Sequence, residues 1–138
     1  MALFDTTFII DLMKDAKTRR HGPATQELDD LLRRGELMRV PIFTLAELYV
    51  GVVKGTQPER ESQAIERCVA AFEVLHFEES TAKVFGSVVG ELEKRGQVIS
   101  DMDALIASVA LEHDELLVTR NIKHFSRIPG LRVEGYRV

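Results

Sequence analysis

The sequence of 138 residues has one cysteine, Cys68, and no tryptophan. A single thiol closes no internal disulfide and supplies neither a four-ligand zinc knuckle nor a CxxC redox pair, which fits a reducing compartment. No stretch approaches the roughly 20 apolar residues that span a bilayer. A basic-then-apolar leader is missing too, because Asp5 interrupts the run Met1-Ala2-Leu3-Phe4. The chain therefore reads as unexported and cytoplasmic, with no membrane segment. Positive charge is not in excess: 18 Lys and Arg against 22 Asp and Glu leave a net charge of −4, so any polyanion must be met locally. Repeats, low-complexity tracts, a P-loop and a dinucleotide fingerprint are all absent. The four histidines, His21, His76, His113 and His124, have no zinc-ligand spacing. In Gly86-Ser87-Val88-Val89-Gly90 the serine directly follows the glycine, which excludes a nucleophile elbow.

What is present suits one domain over residues 1–138, with 45% apolar and 29% charged residues. A chain of this size buries roughly two-thirds of its unfolded surface. Residues 2–4 form a short apolar run that stops at Asp5. Phe8, Ile9, Leu12 and Met13 follow at helical spacing, and the polar stretch 14–23 reads as a loop. A helix is predicted over 24–34, stopped by Gly35, and a strand over 38–43 with Pro41 near its end. Thr44-Leu45-Ala46-Glu47 has the form of a capping box opening a helix striped by Leu45, Leu48, Tyr49, Val52 and Val53. After a break at 54–58, residues 59–73 carry the stripe Ile65, Cys68, Val69 and Phe72, and 74–77 reads as a short strand. A further helix over 80–95 ends at Gly96, and Ser100 opens the next, which contains Asp101 and Asp103. Residues 116–119 are a continuous apolar run, the mark of a strand buried on both faces, and 131–133 is a last short strand. Strands alternating with helices imply crossover connections. The predicted fold is α/β, a three-layer α/β/α sandwich with a mostly parallel sheet of four or five strands.

In such a fold the functional crevice lies beyond the carboxyl ends of the strands, at a switch in strand order. Asp5, Glu47, Asp101, Asp103 and Asn121 all fall at that edge. Glu47 and Asp103 also fit as cap partners of Thr44 and Ser100, since acids are favoured in a first helical turn. Asp5 is different, because it directly follows a buried strand, where a lone charge is costly. Carboxylates that converge repel one another unless a cation offsets them. Magnesium suits such a set, because it takes oxygen ligands and keeps several waters. An ion of this kind activates water and neutralises a phosphodiester, so an acidic protein gains a positive centre toward a polyanion. Five basic residues, Arg120, Lys123, Arg127, Arg132 and Arg137, follow position 119 against one acid, Glu134. Arg120 and Lys123 flank Asn121 and are candidates for phosphate contacts near the metal. Arg19, Arg20 and His21 form a second basic cluster.

Four blocks then stand in a known order: Asp5-Thr6-Thr7-Phe8-Ile9-Ile10, Thr44-Leu45-Ala46-Glu47-Leu48-Tyr49-Val50-Gly51, Asp103-Ala104-Leu105-Ile106-Ala107-Ser108 and Val118-Thr119-Arg120-Asn121. Their order and spacing resemble a PIN domain, in particular the VapC-type toxins of toxin–antitoxin pairs. The resemblance implies a metal-dependent endoribonuclease that hydrolyses RNA with a metal-activated water. Asp5 and Asp103 are then the principal Mg2+ or Mn2+ ligands, Glu47 binds metal or orients the water, and Thr6 and Thr119 support the site with their hydroxyls. Asn121 stands where many relatives have a fourth acid, and Asp101 is a candidate to compensate. A homodimer is implied, as is a small VapB-like antitoxin lying in a groove. Leu48, Tyr49, Val52, Val53, Ile65, Val69 and Phe72 would wall that groove or belong to the core. Two other readings are open. A haloacid-type phosphatase wants a second aspartate at position 7, where Thr7 stands. A non-catalytic PIN-like RNA- or partner-binding protein would suit Asn121.

Overall fold

The computed structural model describes residues 1–136. In chain order the elements are β1 (Ala2–Phe4), α1 (Thr6–Thr18), α2 (Pro23–Arg33), β2 (Met38–Pro41), α3 (Ile42–Lys54), α4 (Pro58–Val69), β3 (Glu73–Leu75), α5 (Glu79–Lys94), α6 (Asp101–Glu112), β4 (Leu116–Val118), α7 (Ile122–Phe125) and β5 (Arg132–Glu134). The five strands pair in the order β3-β2-β1-β4-β5, and all four pairings are parallel. The fold is the predicted α/β sandwich. None of the described helices is long and apolar enough to cross a membrane.

Side chains alternate across a strand, and here the alternation divides the core in two. Ala2, Phe4, Val40 and Val118 point to one face, where Phe8, Ile9, Leu31, Leu48, Val52, Ile65 and Phe72 from α1–α4 and the start of β3 cover them. Leu3, Leu75 and Leu117 point to the other, under Val88, Leu92, Ile106, Val109 and Phe125 from α5–α7. The ring of Phe4 lies 4.5 Å from that of Phe8 and meets Phe72 edge-on at 5.4 Å. The core strands are apolar throughout because helices cover both faces.

Three local expectations are corrected. The stretch 14–23 is a loop only over 19–22, since α1 runs to Thr18 and turns at Arg19, with φ 54°, and α2 starts at Pro23. The polar residues before the turn form the solvated outer face of an amphipathic helix, whose local propensity they do not oppose. The strand over 38–43 ends at Pro41, which sits at the N-cap of α3. Thr44 therefore lies inside the helix and caps nothing. Its buried hydroxyl instead donates to the carbonyl of Phe4 at 3.4 Å, tying α3 to β1.

At the amino-terminal edge of the sheet a charge is buried. The Glu115 side chain is wholly inaccessible and accepts from Arg39 Nη1 at 2.7 Å, while Arg39 Nε lies 3.2 Å from Glu73. Burial raises the pKa of Glu115, and Arg39 opposes the rise. Stripping a buried carboxylate of its partner costs about 3–5 kcal/mol. Arg39→Ala is therefore expected to lose stability on that scale in urea unfolding followed by circular dichroism. Arg39→Met combined with Glu115→Leu, which removes both charges, should recover most of the loss.

Candidate active site

The strand order reverses between β1 and β4: the chain leaves β1 toward α1 and β2 on one side, and β4 leads to β5 on the other. The carboxyl ends of these two strands open the crevice typical of parallel α/β sheets. Asp5 follows β1 and caps α1, and Thr119 follows β4.

Asp5 is 4% exposed. Its Oδ1 accepts from the Phe8 amide at 3.0 Å and from Thr7 Oγ1 at 2.9 Å. Its Oδ2 accepts from the Thr119 hydroxyl, which in turn accepts from the Asn121 amide at 2.9 Å. Burial raises the pKa of Asp5; the bonds from Thr119, Phe8 and Thr7 oppose the rise, and the charge of Asp103 adds to it. That repulsion marks Asp103, in the first turn of α6, as electrostatically close to Asp5. Ser100 caps α6 by accepting from the Asp103 amide at 3.1 Å, so the Asp103 side chain is free of the capping role. On its far side, His124 Nδ1 stands 3.8 Å from Asp103 Oδ2. Glu47, half-buried on α3, accepts from the hydroxyl of Thr6, the residue after Asp5.

Folding thus brings Asp5, Thr6, Glu47, Asp103, Thr119 and Asn121 to one rim. Asn121 stands at the N-terminus of α7, its side chain making no capping bond. Asp101 is exposed in the first turn of α6. Arg120 and Lys123 are exposed beside Asn121. Arg127 donates to the Val98 carbonyl at 3.3 Å and Arg132 to the Asp114 carbonyl at 2.7 Å, so both are committed to the fold. Arg137 lies outside the described residues. The sequence reading overlooked the short helix α7, the Thr7 hydroxyl on Asp5, the approach of His124, and Asp11, a lone acid among the apolar residues of α1. That interruption of an apolar stripe was the available signal for Asp11.

The donor set is all carboxylate and hydroxyl oxygen, the chemistry that suits Mg2+ or Mn2+ rather than zinc. A buried carboxylate with its pKa raised by burial and by a second acid is stabilised by a cation placed between them. The oxygens of Asp5, Glu47 and Asp103 do not all come within 4.8 Å of one another; among the described residues only Glu27, Asp30 and Glu134 do so. The wider spacing fits an ion that keeps most of its waters. The tighter trio is occupied by other work. Arg34 binds Glu134 at 2.9 Å and Asp30 at 3.0 Å, and burial with a bond to Glu134 pushes Glu27 up to about 8. A shared proton and one arginine thus account for its charge.

The expected groove divides. Leu48, Val52, Ile65 and Phe72 are buried in the core and wall no open surface. Val69 packs partly buried against them, while Tyr49 and Val53 are exposed.

Comparison with known proteins identifies the family. The PIN domain pattern matches residues 2–131, and the chain belongs to the PIN-domain family. Within it the relatives are VapC ribonucleases. Ribonuclease VapC2 of Rickettsia felis is 34% identical over 78% of this chain and 80% of its own length. The tRNA(fMet)-specific endonuclease VapC of Shigella flexneri is 31% identical over 94% and 97%. Among solved structures, VapBC2 of Rickettsia felis bound to a promoter DNA fragment superposes with a TM-score of 0.87 at 28% identity, covering 99% of this chain and 98% of that one.

Because the folded chain raises the pKa of Asp5, it holds that proton more tightly than the unfolded chain does. The group therefore destabilises the fold as pH rises above the unfolded value near 3.9. In EDTA at pH 7.5, Asp5→Asn should melt above wild type. The gap should close toward pH 3.5. A variant that melts lower than wild type at pH 7.5 would contradict this assignment of cost.

Proposed function

We propose that this chain is the toxin ribonuclease of a VapBC-type toxin–antitoxin pair, an Mg2+- or Mn2+-dependent endoribonuclease of the cytoplasm. One observation carries the reading: a buried aspartate at the switch point is held by three hydrogen bonds while a second aspartate repels it. The cap on α1 accounts for the Phe8 bond, but not for a second acid set against a buried carboxylate, an arrangement that a cation would offset.

Asp5 and Asp103 would hold the ion, with Glu47 reaching it directly or through water. When bound, the ion supplies an activated water and neutralises charge on the phosphodiester. Thr119 and Thr7 fix the Asp5 carboxylate so that its lone pairs are aimed. Thr6 fixes Glu47, which is then placed to orient the attacking water and accept its proton. Asn121 keeps one rim position neutral, so the site carries less negative charge than a fourth acid would give it, and Asp101 adds an acid nearby. Arg120 and Lys123 would meet phosphates flanking the cut. The partner is a VapB-like antitoxin, supported by the likeness to VapBC complexes, and the toxin is expected to dimerise. The exposed Tyr49, Val50 and Val53 on α3 are apolar surface available to one of these partners.

Purified protein freed of antitoxin is expected to cleave transfer RNA with Mg2+ or Mn2+ and to lose cleavage in EDTA. Asp5→Asn and Asp103→Asn should each lower kcat at least about 100-fold, the loss expected when several kcal/mol of electrostatic stabilisation is removed. Equal cleavage by wild type and both variants would identify a contaminant and leave the non-catalytic reading. Asn121→Asp, which restores a charge to the rim, should lower the metal concentration needed for half-maximal cleavage, read from a titration with Mn2+.

A further inference from the structure

Asp11 is not part of the carboxylate site, yet it is only 9% exposed. Its Oδ2 accepts from Tyr136 Oη at 2.6 Å and lies 3.5 Å from Arg120 Nε. Three segments meet in this contact: α1, the chain following β4, and the chain following β5. The Tyr136 ring is itself anchored, packed edge-on against Phe8 at 5.0 Å. Burial, the bond to Asp11, and the charges of Asp11 and then Asp5 hold the phenol well above its usual range. Tyr136 therefore remains a donor at any physiological pH, and its hydroxyl lies within reach of the field of Asp5.

Arg120 differs from Arg34 and Arg132. Arg34 spends its terminal nitrogens on Asp30 and Glu134, and Arg132 donates through Nη2 to Asp114. Arg120 meets Asp11 as an ion pair with Nε at 3.5 Å; its guanidinium forms no hydrogen bond among the described residues, and its side chain is 40% exposed. It also directly follows Thr119, whose hydroxyl binds Asp5. An ordinary exposed ion pair contributes about 0–1 kcal/mol, which gives little reason to bury Asp11 beside a tyrosine. A guanidinium drawn to one side by a buried carboxylate, however, is kept near the rim with hydrogen-bonding capacity to spare, and its planar fork is the geometry that takes two phosphate oxygens at once. A phosphate approaching Asp5, Glu47 and Asp103 meets negative charge, and a cation fixed on the same rim offsets it.

We propose that Asp11 and Tyr136 are positioning residues that hold Arg120 so that its two terminal nitrogens grip an RNA phosphate beside the carboxylate site. The proposal rests on the ribonuclease reading and extends it to substrate placement.

The test is steady-state cleavage of transfer RNA in Mg2+ or Mn2+ by wild type, Arg120→Ala, Arg120→Lys, Asp11→Asn, Tyr136→Phe, and the last two combined with Arg120→Ala. Arg120→Ala and Arg120→Lys should raise KM about tenfold, the value of a charge-assisted bond, since lysine offers no fork. Tyr136→Phe and Asp11→Asn should raise KM severalfold with kcat changed less than about twofold. In the Arg120→Ala background neither should raise KM further, although any loss in melting temperature should persist. That split separates positioning from a loosened fold. Should Asp11→Asn fail to fold, Tyr136→Phe, which keeps the ring on Phe8, carries the test. An unchanged KM in Tyr136→Phe, or penalties that add in full to Arg120→Ala, overturns the proposal and leaves the ribonuclease reading intact. A wild-type protein that cuts no RNA with either ion overturns both.

Discussion

The architecture depends on one constraint: a carboxylate, Asp5, is buried at the end of the central strand. Burial disfavours its charge, and among the described residues no lysine or arginine bonds to it to relieve this. The chain surrounds the group with neutral donors instead. The Phe8 amide comes with the helix that Asp5 caps, Thr7 lies two residues on, and Thr119 arrives from β4 because β4 pairs with β1 through Phe4 and Val118. Neutral donors hold the carboxylate in place and leave its negative charge uncancelled, which is the condition for attracting a cation. Asp103, brought in by the cap of α6, increases that demand.

The rest of the molecule treats acids differently. Glu115 is buried with Arg39. Glu112 accepts from Thr81 at 2.6 Å and is held below its ordinary range by its hydroxyl partners. Glu27, Asp30 and Glu134 crowd more closely than the candidate ligands do, but share a proton and an arginine. Density of acids therefore does not locate the active site in this protein. Under the proposed function the sign of the compensation does: Glu115 and the Glu134 group each meet an arginine, whereas the hydrogen-bond partners of Asp5 are all neutral. Arg120 sits between these cases, since it pairs with Asp11 yet stays 40% exposed.

Much of this was legible before folding. The apolar run ending at Asp5, the cap at Ser100 and the continuous strand before Thr119 each rest on a pattern of a few residues, so a local reading reached them. Errors arose where a local signal had a long-range meaning. Thr44 and Glu47 have the spacing of a capping box, yet Thr44 donates to the Phe4 carbonyl and Glu47 accepts from Thr6, both some forty residues away. Pro41 ends the strand early and starts the helix itself. The stripe of α3 and α4 divides into a buried set and an exposed set that residue type does not distinguish, since valine serves in both.

From the sequence alone came the alternation of strands and helices, the apolar strand faces and the positions of the acids relative to helix starts, because these depend on backbone periodicity and on contacts within one turn. Only the tertiary structure decided that β1 and β4 lie side by side, that Thr119 reaches Asp5, and that Asp11, Arg120 and Tyr136 meet. Those contacts join residues up to 125 positions apart. Strand order and helix packing set their distances, and no short pattern encodes either.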